Sequence, residues 1–239
     1  MRMPTIERPG PGNNGLRGGA WSAILGWMSQ HFDAVLFDFG GVFTASPFQA
    51  VGGMAKELGT SPDRLIDVVF GSYSSDTDHP WHRLERGELA IEEAREAILG
   101  IGSEHGFEAD LYKLFAALAE SGGIREALVD CARGLRRNGF RTGLLTNNVA
   151  EFREHWRGTI PVDELFHDVV DSSEVGMRKP DLRIFALACE RLSVEPARSI
   201  FLDDHPGNID AARKSGLVAV LVEEDPTGAL AELDRLLGR

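Results

Sequence analysis

The sequence predicts an α/β fold, a doubly wound parallel sheet with an α-helical cap inserted after its first strand. Three observations carry that expectation. Residues 32–38, Phe-Asp-Ala-Val-Leu-Phe-Asp, form a near-continuous apolar run, as in strands covered on both faces of a parallel sheet. Residues 47–120 hold several helical patterns and no convincing strand. Beyond Ile124, strand-like and helix-like segments alternate, which builds βαβ units.

Taken in order, the first strand ends in the carboxylate Asp38 and is followed by the loop Phe39-Gly40-Gly41-Val42. Helical patterns follow at residues 51–58, 61–70, 91–99 and 107–120, with Ser61 as N-cap and Pro62 at the first helical position of the second. Ser121-Gly122-Gly123 ends the block. A helix at 124–138 then leads into a strand at 140–145, which ends in Thr146-Asn147-Asn148. Residues 149–156 read as a helix, 168–171 as a short strand and 180–192 as a helix. The strand at 199–202 ends in Asp203-Asp204, and a helix at 207–215, a strand at 217–222 and a helix at 228–237 complete the chain. The implied organisation is a disordered tail plus short helix at 1–30, an α/β core at 31–46 and 121–239, and the helical cap at 47–120.

Composition narrows the functional classes. The 239 residues carry 37 acidic against 25 basic side chains, a formal charge of −12. Nonspecific attraction to nucleic acid or an anionic membrane is therefore disfavoured. No apolar run approaches the roughly 20 residues of a membrane span, and the Gly-, Pro- and Asn-rich N-terminus lacks a signal-peptide core. Trp21, Ile24, Leu25 and Met28 fall at helical spacing, so residues 20–32 are expected to form a short helix resting on the domain. A membrane-surface or partner contact, or translation starting at Met28, is the alternative. Cys131 and Cys189 show no metal-site or CxxC spacing and read as small buried helix residues. Their scarcity fits a reducing cytoplasm.

In an open parallel sheet, ligands bind beyond the carboxyl ends of the strands. Asp38, Thr146 with Asn147, and Asp203 with Asp204 all end strands there, and Arg178-Lys179-Pro180 leads into a helix. Each has a purely structural reading as turn, helix cap or solvated helix terminus. Their joint occurrence in this order points instead to a site with an acidic nucleophile, a hydroxyl, an ammonium group and an acidic pair.

These segments, LFDFGGVF, LLTNN, GMRKP and FLDDHPGNIDAARKSG, resemble the four motifs of the haloacid dehalogenase (HAD) superfamily, whose core is Rossmann-like. HPWHRLERGELAIEEA and LLTNN look like the branch containing the N-terminal phosphatase domain of soluble epoxide hydrolases and the domain fused to some acyl-CoA dehydrogenases. The resemblance implies a small phosphorylated substrate and an Asp38 nucleophile that becomes an aspartyl phosphate. It implies Mg²⁺ held by Asp38, the Gly40 carbonyl and Asp204, with Asp203 orienting waters. Thr146 and the Asn147 N–H would hold phosphoryl oxygens, Lys179 would neutralise developing charge, and Asn208 would brace the loop. Trp81, His82 and Arg83 are candidates for substrate selection, and His79 and His82 are expected at the cap surface or its boundary with the core.

One position departs from the family. Its phosphatases carry a second aspartate two residues after the nucleophile as general acid and base, where this chain has Gly40. The implied activity is a phosphatase using water, Thr44 or a cap residue instead, best suited to good leaving groups. The alternatives are a non-catalytic phosphate-ligand or partner-binding module, and a dehalogenase.

Overall fold

The computed structural model describes residues 31–120 and 123–239; the expected N-terminal tail and the amphipathic helix ahead of Phe32 lie outside the described residues. The residues from Phe32 to Arg239 form one unit. Its centre is a five-stranded, all-parallel sheet of β1 (Ala34–Phe37), β2 (Arg141–Thr146), β3 (Asp168–Asp171), β4 (Ser199–Asp203) and β5 (Val218–Leu221), in the order β3-β2-β1-β4-β5. The chain winds outward from β1 through β2 to β3, then returns to lay β4 against the other side of β1. That reversal makes β1 and β4 flank the switch point where open α/β sheets bind ligands.

The apolar run of β1 is explained by its place in the middle. Val35 and Phe37 enter one hydrophobic cluster with Phe43, Leu128 and Leu144. Ala34 and Leu36 enter another on the opposite face with Phe185, Phe201 and Ile209. With both faces covered, no position in the strand can be polar without stranding a group away from water.

Between β1 and β2 lie α1 (Pro47–Glu57), α2 (Pro62–Val69), α3 (Pro80–Glu85), α4 (Ile91–Glu104) and α5 (Leu111–Glu120). They bury a cluster of their own, including Val51, Leu65, Phe70, Leu84 and Ile98, to which Val149 from beyond β2 is added. Ser61 caps α2 as expected, accepting from Arg64 N–H at 3.3 Å. The helix α3 was not among the expected elements. It starts because His79 Nδ1 accepts from Trp81 N–H at 3.2 Å and Pro80 presets its first turn.

The remaining helices are α6 (Glu126–Arg137), α7 (Arg153–Arg157), α8 (Val162–Leu165), α9 (Ser172–Val175), α10 (Leu182–Leu192), α11 (Pro206–Lys214) and α12 (Thr227–Leu237). The single helix expected at 149–156 is instead a 3-10 turn, Ala150–Phe152, followed by α7. Val149 is drawn into the insertion's core and its N–H is taken by Asn148 Oδ1 at 2.9 Å, so the first turn cannot wind regularly. The helix expected from Pro180 begins at Leu182, capped by Asp181. Cys189 is buried and Cys131 half-buried. Burial pushes both thiols up to about 11, which removes them as thiolate nucleophiles at neutral pH. Among the described residues no helix is long and apolar enough to cross a membrane.

Candidate active site

Register places the site residues. Phe37 pairs with Leu144 on one side and Leu202 on the other, so Asp38 emerges beside the ends of β2 and β4. Asp38, Asp203 and Thr146 are all buried. Lys179 arrives from the loop between α9 and α10, also fully buried, with Nζ 2.7 Å from Asp38 Oδ1 and 2.7 Å from Asp203 Oδ2. The structure thus brings the Lys179 ammonium group together with the Asp38 and Asp203 carboxylates, two residues whose places at strand ends suggested such convergence.

Each member is held by specific donors. Phe39 N–H donates to Asp38 Oδ1 at 2.7 Å, so that oxygen carries both the amide and the Lys179 ammonium. Among the described residues no donor sits on Oδ2. Asp203 accepts from His205 N–H at 2.8 Å and from Asn208 Nδ2 at 3.0 and 3.1 Å, so Asn208 braces an acid of the site. The Asn147 side chain clamps the Lys179 backbone in both directions, accepting from its N–H at 2.8 Å and donating to its carbonyl at 3.0 Å. That clamp was not foreseen, because it joins two loops 32 residues apart. Thr146 Oγ1 donates to the Asn147 carbonyl at 3.4 Å, and Thr44 Oγ1 to the Ala45 carbonyl at 3.2 Å.

Electrostatics set what the cluster attracts. Burial, reinforced by Asp203 and Asp204, drives the Asp38 pKa well above the usual carboxylate range, and Lys179 opposes the rise. Asp204, half-buried, is raised to about 6, by burial and then by Asp203. Burial works against the Lys179 ammonium, but Asp203 and Asp38 outweigh it and hold its pKa above the ordinary lysine value. Three carboxylates face one ammonium, so the fully ionised set carries a charge of −2 in a region poor in water. Asp38, Asp203 and Asp204 each offer an oxygen, all within 4.8 Å of one another. A hard divalent cation fits both the donor chemistry and the charge.

The loop after β1 is shaped for this set. Gly41 sits at φ +72°, and a Cβ there would lie 2.0 Å from Asp204 Oδ2. Gly41→Ala is therefore expected to destabilise the fold by about 1–2 kcal/mol from the left-handed backbone alone, and to displace Asp204. Thermal melts together with calorimetric Mg²⁺ titration check this: a variant with unchanged stability and unchanged cation affinity would refute the close packing.

The residues considered for substrate selection part company. His82 is fully buried rather than at the surface, its Nδ1 accepting from Thr77 N–H at 3.0 Å, and it shares Asp76 with Arg178 from beyond the insertion, at 3.8 and 3.7 Å. Trp81 is buried in the insertion's cluster, while Arg83 turns to solvent and pairs with Glu88 at 3.4 Å.

A parallel core of this topology, with a carboxylate just past the end of the central strand and a lysine bridging it to the carboxylate that ends the next, is the arrangement of a class of hydrolase. The haloacid dehalogenase-like hydrolase family model matches residues 32–216, and the chain belongs to that family. It is 30% identical over 213 residues to acyl-CoA dehydrogenase family member 10 of Mus musculus, matching 87% of this chain and 19% of that protein. Bifunctional epoxide hydrolase 2 of Rattus norvegicus is 24% identical, over 84% of this chain and 38% of its own length. The chain thus spans well under half of these two relatives. Sesquiterpene phosphatase astK of Aspergillus oryzae is 28% identical over 88% of this chain and 100% of its own. Among solved structures, a HAD family enzyme of Bacteroides thetaiotaomicron, in complex with magnesium and inorganic phosphate, superposes with a TM-score of 0.57. It is 19% identical, over 83% of this chain and 98% of its own.

Proposed function

We propose that the chain is a magnesium-dependent phosphatase that acts on a small phosphorylated metabolite through an aspartyl-phosphate intermediate on Asp38. The observation that carries the reading is the Lys179 ammonium 2.7 Å from both Asp38 and Asp203, with Asp204 completing a three-carboxylate cluster. Phosphatases among the curated relatives, including glyceraldehyde 3-phosphate phosphatase of Methanothermobacter thermautotrophicus at 27% identity, support it.

In this reading Asp38 Oδ2 attacks phosphorus while Oδ1 stays fixed by Phe39 N–H and Lys179. The ester oxygen leaves with the electron pair of the broken P–O bond and takes a proton from water. Lys179 balances the charge that develops on the phosphoryl group, and the Thr146 hydroxyl and Asn147 N–H hold its equatorial oxygens. Water then cleaves the aspartyl phosphate and restores Asp38. Asp38, Asp204 and the Gly40 carbonyl would hold Mg²⁺, with Asp203 nearby. Bound there, the ion offsets the repulsion between carboxylates and phosphate. The insertion at 47–120 serves as a cap over this edge. Tyr73 supports that role, its ring 4.8 Å from that of His205, next to Asp204.

Phosphate release from a panel of esters, with and without Mg²⁺, tests the proposal. Metal-independent release of halide from haloacids would favour the dehalogenase alternative, and no turnover with Mg²⁺ bound would favour a binding module. Gly40→Asp supplies the missing acid, so turnover of poor leaving groups should rise by about 10²-fold or more, within the usual worth of general acid catalysis. A folded variant with no gain would refute the role assigned to position 40.

A further inference from the structure

Arg178 is not used by this mechanism, yet it is fully buried one residue before Lys179. Its Nε donates to Glu85 Oε2 at 2.7 Å, a buried carboxylate on α3 of the insertion. That is the one hydrogen bond the guanidinium makes among the described residues, and the Tyr73 ring lies over it, its centre 5.4 Å from the guanidinium carbon. The surrounding charges balance. Arg86 pairs with Asp76 and with the exposed Glu88. Asp76 stands 3.7 Å from Arg178 Nη1, too far for a hydrogen bond. Two guanidiniums thus face Asp76 and Glu85, and Glu85 is the partner that Arg178 holds directly.

A second contact falls on the same stretch of core. Gly87, just past α3, lies so close to α9 that a Cβ there would sit 2.6 Å from the Ser173 carbonyl oxygen. The end of α3 therefore meets the segment from β3 to Lys179 at Ser173 and again at Arg178. Asn147 holds the Lys179 backbone from the core side, at 2.8 and 3.0 Å, while Glu85 holds its neighbour from the insertion. Consecutive Cα atoms are fixed about 3.8 Å apart, so a displaced Arg178 carries Lys179 with it. The ammonium must reach Asp38 and Asp203 together, each at 2.7 Å, and a misplacement of about 1 Å can lower a rate about 10²-fold. We infer that Arg178 is a positioning residue, whose buried ion pair with Glu85 ties the loop carrying Lys179 to α3 and so lets the insertion fix where the ammonium stands. The catalytic consequence rests on the phosphatase reading; the tie itself does not.

The test is the double variant Arg178→Met with Glu85→Leu, which removes both charges and strands neither, so that its melting temperature stays close to that of wild type. Amide exchange at Lys179, followed by NMR, should quicken by about tenfold or more while the amides of β1 keep their rates. With acetyl phosphate and Mg²⁺, kcat should fall by about tenfold to a hundredfold and KM stay within about twofold. In a Lys179→Met background the same pair of changes should alter kcat by no more than about twofold, because no ammonium is left to place. Glu151→Ala is the control. Glu151 Oε1 accepts from Ile91 N–H at 2.9 Å, a tie between core and insertion that does not touch the Lys179 loop, and its loss should leave kcat within about twofold. Should the double variant not fold, Glu85→Gln, which keeps the length and an acceptor for Nε, should hold kcat within about threefold, and the shorter Glu85→Asp should lose about tenfold. Unchanged exchange, an intact kcat, an equal loss in the Lys179→Met background or with Glu151→Ala, or equal rates for the Gln and Asp variants overturns the inference and leaves the phosphatase reading standing. Faster exchange at Lys179 in a protein whose wild type turns over no phosphate ester keeps the tie and removes the phosphatase reading.

Discussion

Asp38→Asn is expected to lower phosphate release by about 10⁴-fold or more, the scale on which nucleophile removal acts elsewhere, while the folded protein loses little stability. The first half follows from chemistry, because an amide oxygen in place of Oδ2 is a far weaker nucleophile. The second follows from charge. One of three clustered carboxylates is removed, and Lys179 keeps Asp203 at 2.7 Å, so repulsion falls and no cation is stranded. Single-turnover kinetics and thermal denaturation on the same preparation check both halves. Retained turnover would exclude the aspartyl-phosphate route. A large fall in melting temperature would show instead that Asp38 holds the fold together.

Lys179→Met should behave in the opposite way on stability. Lys179 is fully buried between Asp38 and Asp203, and its Nζ is 5.4 Å from the centre of the Phe201 ring. Removing it leaves the carboxylates without a counter-charge, a change worth about 3–5 kcal/mol at buried pairs. For a chain of this size that is a fall in melting temperature on the order of 10 °C. Mg²⁺ is expected to recover part of the loss by replacing the missing charge, while kcat stays depressed because the ammonium that balances the transition state is gone. Melts in chelator and in Mg²⁺, beside kcat for one ester, provide the comparison. A variant as stable as wild type in chelator would contradict the charge balance drawn for the cluster.

Much of the site was legible because its parts are punctuated locally. Asp38 and the pair Asp203-Asp204 each end an apolar run, and such runs mark strand ends without knowledge of any partner. Lys179 was marked by its motif, GMRKP, ahead of a helix. The helices of the insertion other than α3 announced themselves by periodicity and, at Ser61, by a capping residue that the structure uses as expected. The loop at 149–152 was misread, because its winding is set by burial of Val149 in a cluster built mostly from residues 51–114. The surface alternative for His82 fell for a related reason: Thr77 supplies the N–H that its buried ring accepts, and nothing in the sequence marks that contact.

By itself, the sequence determined the alternation that makes a parallel sheet, the strand ends that carry chemistry and the length of chain inserted between β1 and β2. Those properties depend on neighbours a few residues apart, where spacing and apolar period act directly. Only the tertiary structure decided that Asn147 clamps the Lys179 backbone, that Gly41 must leave room for Asp204 and that Arg178 reaches Glu85. These contacts join residues 32, 163 and 93 positions apart. At such distances the energy of a buried charge or a close approach depends on which surfaces the fold brings together, and local pattern carries no record of that.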